Sequence, residues 1–435
     1  LLPLRIVVIG GGAAGFFGAL AAANANPKAK VTLLEASHQP LAKVRISGGG
    51  RCNVTHACFD PALLVQNYPR GGKPLRGAFS RFQATDTIAW FKTHGVKLKT
   101  EADGRMFPTT DNSETIVDCL METARASGVE VRIGAPVVAV KYLSGETQPL
   151  QDSGGGSTGK AMPCPYDWGL GTQFTIVLKS GETLQCDRLL LATGSNPVGY
   201  KIAQELGHTI EPPVPSLFTF NVQDEQLREL AGVSVPNVRL RLSTGGKTQL
   251  EQTGPLLITH WGLSGPAVLK LSAWGARILH DSHYQATLLI DWLPDVNPEQ
   301  VRQKLPQVKS EAAKRAISLH RGVDLPHRLW QYLISRAGIS PETRWAEVSK
   351  AGLNQLVTEL TQGQYTIKGK GVFKEEFVTC GGVHLKEVNF KTMESRIVPG
   401  LYFAGEILDI DGVTGGFNFQ SAWTTAYLAG NAMGD

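Results

Sequence analysis

The chain of 435 residues carries, close to its start, an unbroken apolar, β-branched run, Arg5 to Ile9 (RIVVI), the pattern of a short strand buried on both faces in a parallel sheet. An alanine-rich, helix-forming stretch follows from Ala13 to about Asn24, and then a second apolar run from Lys30 to Leu34. Residues 135–140 (APVVAV) and 188–191 (RLLL) repeat the strand pattern. Near the far end, residues 400–430 read as a strand, a tight turn, a loop and an amphipathic helix from about Phe417. Between Asn196 and Lys374 the texture differs: short runs (SLFTFNV, VRLRLS, GPLLITH, YQATLLIDW) separated by Gly and Asn turns predict an antiparallel, barrel-like unit. From Asn297 the text turns helical, with Pro298 at a helix start, then SEAAKRAISLH and LPHRLWQYLISRAG, and Ser340-Pro341-Glu342 as an N-cap with Pro at the first helical position.

This order predicts an α/β fold with a Rossmann-like domain built from both chain ends. A length of 435 residues exceeds what one core usually supports. The expected divisions are 1–195 and 375–435 for the nucleotide domain, 196–296 for an inserted β-rich domain and 297–374 for a helical module.

Chemistry enters at the turn after the first strand. Gly10-Gly11-Gly12-Ala13-Ala14-Gly15 is a G-x-G-x-x-G loop in the right place, between a strand and a helix. Gly10 makes the tight turn, Gly12 lets a pyrophosphate approach the backbone at Ala13 and Ala14, and Gly15 lets helix and strand pack. The helix N-terminus favours the anion. Glu35, at the end of the second strand, is placed to accept hydrogen bonds from a ribose 2′-hydroxyl, which favours FAD or NAD over NADP. GGGSTGK at 154–160 imitates a phosphate loop, but Ala161 replaces the needed Ser or Thr and no strand-to-helix context surrounds it, so it reads as a surface loop.

Further along, KVRISGGGRCNV (43–54) puts three glycines in a row, which permits close approach of the backbone to a ligand. Lys43, Ser47, Gly49, Gly50, Arg51, Cys52 and Asn53 are therefore expected to line the cofactor from its ribityl chain to its ring. Val137 and Val138 fit a strand beside the adenine, and Ala192-Thr193-Gly194 fits a turn of small residues crossing the cofactor. Gly405, Glu406 and Asp411 follow the last strand. Gly416, Phe417 and Asn418 begin a helix whose N-terminus, aimed at the pyrimidine end of a flavin, would stabilise the negative charge that gathers there on reduction.

Taken together, GGGAAG, ISGGGRCNVTH, LLLATGS, THWGLSGPAVL, TCGGV and FAGEILDIDGVTGGFNFQSAW resemble, in order and spacing, the HI0933-like (BaiN, aminoacetone oxidase-like) family of FAD-dependent oxidoreductases. The resemblance covers essentially the whole chain. It implies a non-covalent FAD, a three-layer ββα FAD-binding domain made from both ends, and an inserted barrel with a small helical module. The Gly/Pro-rich stretch 147–168 looks like a longer loop than the family pattern has and puts nothing catalytic in doubt.

Composition narrows the rest. With 42% hydrophobic and 19% charged residues and no long apolar run, the chain reads as globular and without a membrane span. The net charge of +5 comes without any run of five cations, so nucleic-acid binding is not expected. Cys52, Cys58, Cys119, Cys164, Cys186 and Cys380 include no C-x-x-C, which suits a reduced, cytoplasmic setting. No metal site is expected, and the oligomeric state is left open. A second G-x-G-x-x-G unit is missing, so electrons arrive from NAD(P)H as a transient visitor or from the substrate. The Cys52/Cys58 spacing departs from that of disulfide reductases, and Cys52 reads as a residue shaping the flavin pocket. Arg51 and His260 are the catalytic candidates: Arg51 to orient an anionic or carbonyl group, His260 as an acid or base, against a plain strand-end role for His260. The expected function is hydride or electron transfer between a small organic substrate (an activated C=C, a quinone-like group or an amine) and FAD, with NAD(P)H or O2 as the other partner. An FAD-dependent RNA-modifying enzyme and a flavin-bearing redox sensor are the alternatives.

Overall fold

A computed structural model describes residues 3–143, 173–243, 249–371 and 378–435. The GGGSTGK loop, the rest of 147–168 and Lys374 lie outside the described residues. The chain divides into two compact units, one of Leu1–Pro213, Gly381–Ile410 and Gly415–Asp435, the other of Val214–Cys380 and Asp411–Thr414. The first boundary thus falls at Pro213 and not at 195. The cause is the helix Pro197–Glu205, which follows the strand Arg188–Leu191 and buries Tyr200, Ile202 and Ala203. Likewise, the chain re-enters the first unit at Gly381 rather than 375, within the strand Val378–Val383.

The first unit is organised on a seven-stranded sheet. In spatial order its strands are Val388–Asn389, Glu394–Ser395, Leu401–Phe403, Arg188–Leu191, Arg5–Ile9, Lys30–Leu34 and Glu130–Arg132. The last five run parallel, with Val8 beside Leu33 and Leu190. Ile6, Val8, Leu33 and Leu190 are fully buried, as expected of strands covered on both faces. A separate antiparallel sheet, Val137–Tyr142, Phe174–Leu178 and Thr183–Cys186, leads into the central strand Arg188–Leu191. Both chain ends meet in this unit. The first helix (Ala13–Ala25) and the C-terminal helix (Phe417–Gly434) cross closely because small residues face each other. A Cβ on Gly430 would lie 2.4 Å from the Ala21 Cβ and 2.5 Å from the Gly18 carbonyl oxygen, and one on Gly434 would lie 2.4 Å from the Ala25 Cβ.

The C-terminal helix starts at Phe417 as its sequence indicates, but it is not amphipathic: it buries residues on every side, Gln420 and Thr424 included. Its buried polar groups are paired internally, the condition for burying them at all. Thr55 and Thr87 donate to Gln420 Oε1 at 2.6 and 3.0 Å, Gln420 donates to Thr424 at 3.1 Å, and the Trp423 indole donates to the Val54 carbonyl at 2.9 Å.

In the second unit six antiparallel strands close into a barrel in the order Phe220–Val222, Gly262–Ser264, Gln249–Thr259, Ser234–Ser243, Gln285–Asp291, Gly363–Lys370. Val238, Leu240 and Leu242 point inward at alternate positions, so the period of two in VRLRLS sets the register. The helical module has helices Pro298–Glu311, His327–Arg336 and Lys350–Gln362. Asn297 caps the first with a capping box and Pro298 at its start, as read from sequence. Two expectations are corrected. SEAAKRAISLH is not a helix: the helix ends at Glu311, and residues 313–317 instead pair with 343–346, the Trp345 amide donating to the Arg315 carbonyl at 3.0 Å. Ser340-Pro341-Glu342 starts no helix either; the Ser340 hydroxyl is taken by Glu342 at 2.6 Å, and Ser349 caps the next helix.

The helix crossing gives a direct test. Gly430→Val should destabilise the protein by about 2 kcal/mol or more, because the side chain has no space against Ala21 and Gly18. Gly77→Ala, in a helix with nothing within 4 Å of its Cβ, should be neutral or stabilise by up to about 1 kcal/mol. Urea unfolding of the two variants measures both.

Candidate functional site

The first loop holds the geometry its glycines suggest. Gly10 has φ +113°, and a Cβ there would sit 2.4 Å from the Ala192 carbonyl oxygen. The crossing of this loop with the Ala192-Thr193-Gly194 turn therefore requires glycine. A Cβ on Gly15 would lie 1.7 Å from the Gly10 carbonyl oxygen, which fixes helix against strand. Gly12 is different: it is the N-cap of the first helix, offers no side-chain cap, and no atom lies within 4 Å of where a Cβ would stand. The amides of Ala13 and Ala14 thus begin a helix whose end faces open space. Glu35 sits beside them, its carboxylate accepting from the Gly11 amide at 2.7 Å and the Ser37 amide at 2.7 Å. Two backbone donors fix its orientation. Ala135, just before Val137 and Val138, donates to the Glu35 carbonyl at 2.8 Å; Val137 is buried and Val138 exposed.

The segment 47–53 leaves the helix that begins at Ala42. Gly48, Gly49 and Gly50 have φ of +58°, +70° and +84°, and Cys52 follows at +60°. A run of left-handed residues of this length is open to glycine and to little else. Gly48 is needed inward, where a Cβ would lie 2.8 Å from the Phe107 ring. Gly49 and Gly50 have nothing within 4 Å on their open side. The loop is held from behind: the Ser113 amide donates to the Gly50 carbonyl at 2.9 Å, and the Cys52 amide to the Ser47 carbonyl at 3.0 Å. The Arg51 guanidinium lies 4.0 Å over the Phe107 ring, 2.6 Å from Glu101 and 3.6 Å from Asp111. It is therefore engaged with protein carboxylates, and its place is that of a clamp on the loop. Cys52 is fully buried, and burial pushes its thiol up to about 12.

Asn53 ties this loop to the C-terminal helix. In its favoured amide orientation it accepts from the Gly416 amide at 3.0 Å and donates to the Thr55 carbonyl at 3.1 Å. Gly416 has φ +93°, and a Cβ would lie 2.5 Å from the Thr55 carbonyl oxygen. Phe417 opens the helix; Tyr68 donates to its carbonyl at 2.6 Å and His56 stacks on its ring at 4.6 Å. Gly416 is the N-cap of this helix and has no side chain to cap it, so a second long helix begins on a glycine. Lys43 donates to Glu406 at 2.6 Å and to Ser195 at 3.4 Å, linking the 43–54 segment to the turn at Gly405 and to the residue after Gly194. Gly405 packs on the first helix, where its Cβ would lie 2.8 Å from that of Ala14. Tyr68 and His56 carry no signal in the sequence; nothing in residues 56–68 marks them except proximity to the glycine run.

Two of the expected residues belong to the second unit. Asp411 is fully buried in the second unit, accepting from the Ser216 hydroxyl at 2.7 Å. His260 is exposed at the hairpin turn between Gln249–Thr259 and Gly262–Ser264, the strand-end position weighed against a catalytic one.

Residues 4–161 match the HI0933-like protein Rossmann domain, and residues 214–378 match the HI0933-like protein barrel and H2TH domain. The chain belongs to the HI0933-like family. It is 31% identical to a ribosomal RNA dihydrouridine synthase of Escherichia coli (strain K12), over 97% of this chain and 96% of that protein. It is 28% identical to a 3-dehydro-bile acid delta(4,6)-reductase of Clostridium scindens, over 99% of both chains. Among solved structures, 3-ketosteroid delta1-dehydrogenase from Sterolibacterium denitrificans aligns with a TM-score of 0.49 and 11% identity, over 100% of each chain.

HI0933-like proteins are FAD-dependent oxidoreductases, and the residues present fit that cofactor. Three glycines (Gly12, Gly49 and Gly50) leave open the space a Cβ would take, and two long helices begin on a glycine N-cap, Gly12 and Gly416, in the same unit. Both features suit a ligand carrying phosphates at one end and an electron-accepting ring at the other. Charge is distributed unevenly along the chain. Residues 297–371 carry 12 Lys and Arg against 6 Asp and Glu, whereas the whole chain has 43 against 38. The net charge therefore resides in the helical module and the last barrel strand, without any long cationic run to announce it.

Gly12→Val should cost about 1 kcal/mol of stability from poorer N-capping, yet weaken FAD binding by more than tenfold, about 1.4 kcal/mol. Fluorescence titration of the apoprotein with FAD separates the two effects. The buried Cys52 thiol should resist iodoacetamide in the folded protein at about pH 8 and react once urea unfolds it. Because its folded pKa is raised, from 9.0 to about 12, its contribution to stability is present below 9 and is lost as pH rises toward 12. Urea titrations across that range should show a steeper loss than in Cys52→Ala.

Proposed function

We propose that this protein is a flavin-dependent reductase that saturates a C=C bond conjugated with a carbonyl, with a uracil ring in RNA as its substrate and NAD(P)H as its reductant. The observation that carries the reaction class is what the relatives share. One is named for making dihydrouridine and the other for reducing a 3-dehydro bile acid at its delta(4,6) bonds, and each matches nearly the whole chain. Both names fit reduction of a C=C bond conjugated with a carbonyl; for a uracil ring the step balances as hydride to the carbon β to the carbonyl and a proton from solvent to the α carbon, the C=C becoming a single bond. NAD(P)H is oxidised by two electrons and supplies the hydride equivalent.

In the first unit, FAD when bound would supply a two-electron carrier between NAD(P)H and substrate. The chain's own residues hold and polarise. Ala13 and Ala14 amides would receive the pyrophosphate, and Glu35, held by two backbone amides, the ribose. Gly49 and Gly50 would admit the ribityl chain and ring. The N-terminus of the C-terminal helix would face the pyrimidine end with its dipole, the helix fixed by Asn53 at Gly416 and by Tyr68 at Phe417. Arg51, engaged by Glu101 and Asp111, positions the glycine loop.

RNA is favoured as substrate by the concentration of positive charge in residues 297–371, since phosphate contacts supply most of the affinity for nucleic acid. A small conjugated ketone is the second reading, favoured by the 28% identity to the bile-acid reductase. The FAD-loaded protein, reduced anaerobically with NADH or NADPH, should reoxidise on adding unmodified ribosomal RNA, and the RNA should gain two hydrogens at a uridine by mass spectrometry. Reoxidation by 4-en-3-one steroids but not by RNA would establish the second reading. Failure of both nicotinamides to bleach the flavin would overturn the reductase assignment.

A further inference from the structure

The segment 312–321 (AAKRAISLHR) contains three cations, one histidine and no acid. It is not a helix, although it reads as one. It lies against 341–346, with the Ile317 amide donating to the Thr343 carbonyl at 2.9 Å and the Ala346 amide to the Ala313 carbonyl at 3.0 Å. Ala316 and Arg344 form an isolated antiparallel bridge. Beneath them the stacked Trp330 and Trp345 anchor the backbone, donating to the carbonyls of Ile317 at 2.8 Å and His320 at 3.0 Å. This arrangement puts Lys314, Arg315 and Arg321 on one short, backed stretch and Arg344 on the segment paired with it, all four exposed; Arg321 also donates to the Leu325 carbonyl, and Arg315 lies 3.4 Å from His320 Nδ1. None of the four forms an ion pair among the described residues, whereas Arg336 of the same module is held by Asp224 and Glu359 at 3.0 and 2.8 Å. Leu319 stands among them at 78% exposure, the highest of the large apolar side chains described.

Exposed cations without carboxylate partners, set on a backbone that two tryptophans immobilise, match the needs of a phosphodiester chain. A guanidinium keeps several donors for phosphate oxygens even where one is used internally, as in Arg321 and Arg315, and each phosphate contact releases counterions. Leu319, at the tip, offers an apolar surface to a base while the cations hold the backbone. We infer that the surface formed by Lys314, Arg315, Leu319, Arg321 and Arg344 docks the phosphate backbone of RNA. The inference rests on the RNA reading above and names the surface that serves it.

The test uses the full-length, FAD-loaded protein and a fluorescein-labelled RNA hairpin of about 20 nucleotides, with affinity measured by anisotropy over a range of KCl concentrations. The variant K314Q/R315Q/R321Q/R344Q should bind at least tenfold more weakly, and its log Kd against log salt should lose a slope of about 3, close to 0.7–0.9 per cation removed. Its rate of flavin reduction by NAD(P)H should be unchanged. A matched variant in the first unit, K28Q/K92Q/K97Q/R125Q, removes the same charge from exposed positions and should bind as the unaltered protein does. Equal losses in the two variants would overturn the inference, because net charge alone would then explain the binding. So would unchanged affinity in the first variant, or preferential capture by anionic phospholipid vesicles in place of RNA. If the quadruple variant does not fold, K314Q/R344Q should show about half the slope change. Dihydrouridine formation is read separately: its absence in a protein that binds RNA through this surface refutes the reaction and leaves the surface standing.

Discussion

The close crossing of the first and last helices is the constraint on which the site depends. Glycine and alanine at Gly18, Ala21, Ala25, Gly430 and Gly434 bring two backbones together at distances that no larger side chain permits. Because one helix begins at residue 13 and the other at 417, this contact joins the ends of the chain. It also sets two helices that begin on glycine N-caps, Gly12 and Gly416, within the same unit. The polar groups buried along the C-terminal helix reinforce it: Gln420 collects Thr55 and Thr87, and the Trp423 indole reaches Val54. Thr55 and Val54 directly follow the glycine run, so the same helix positions the loop.

The glycine run is shaped as much by its supports as by its own freedom. Three successive left-handed glycines would sample many conformations in isolation. Here Arg51, stacked on Phe107 and paired with Glu101 and Asp111, closes one side, and the Ser113 amide holds Gly50 from behind. Asn53 joins the other end to Gly416. What remains open is the side of Gly49 and Gly50, where no protein atom approaches. Arg51 and Cys52, which look reactive in the sequence, are consumed in this construction: the first by carboxylates, the second by burial that keeps its thiol neutral.

The second unit divides its charges in a similar way. Arg336 is engaged inside, by Asp224 and Glu359, where an unpaired cation would be costly. Lys314, Arg315, Arg321 and Arg344 are kept outside, without ion pairs among the described residues. A buried tryptophan pair backs the stretch that carries them, so the cationic face has a defined shape.

By itself the sequence determined the strands, the nucleotide loop and the barrel, because each depends on local pattern: β-branched runs, a G-x-G-x-x-G between strand and helix, and alternation with period two. It also determined the family, through motifs whose glycines stand at positions of positive φ or close approach that few other residues can occupy. It did not determine that SEAAKRAISLH would forgo a helix, since pairing with 343–346 over two tryptophans outweighs local propensity. Nor did it determine the partners of Arg51, the burial of Asp411 with Ser216, or the exposed turn at His260. Those depend on which side chains arrive from distant segments, and no spacing along the chain encodes that. Only the tertiary structure brought residues 53 and 416 into hydrogen-bonding distance, and with them the two ends of the site.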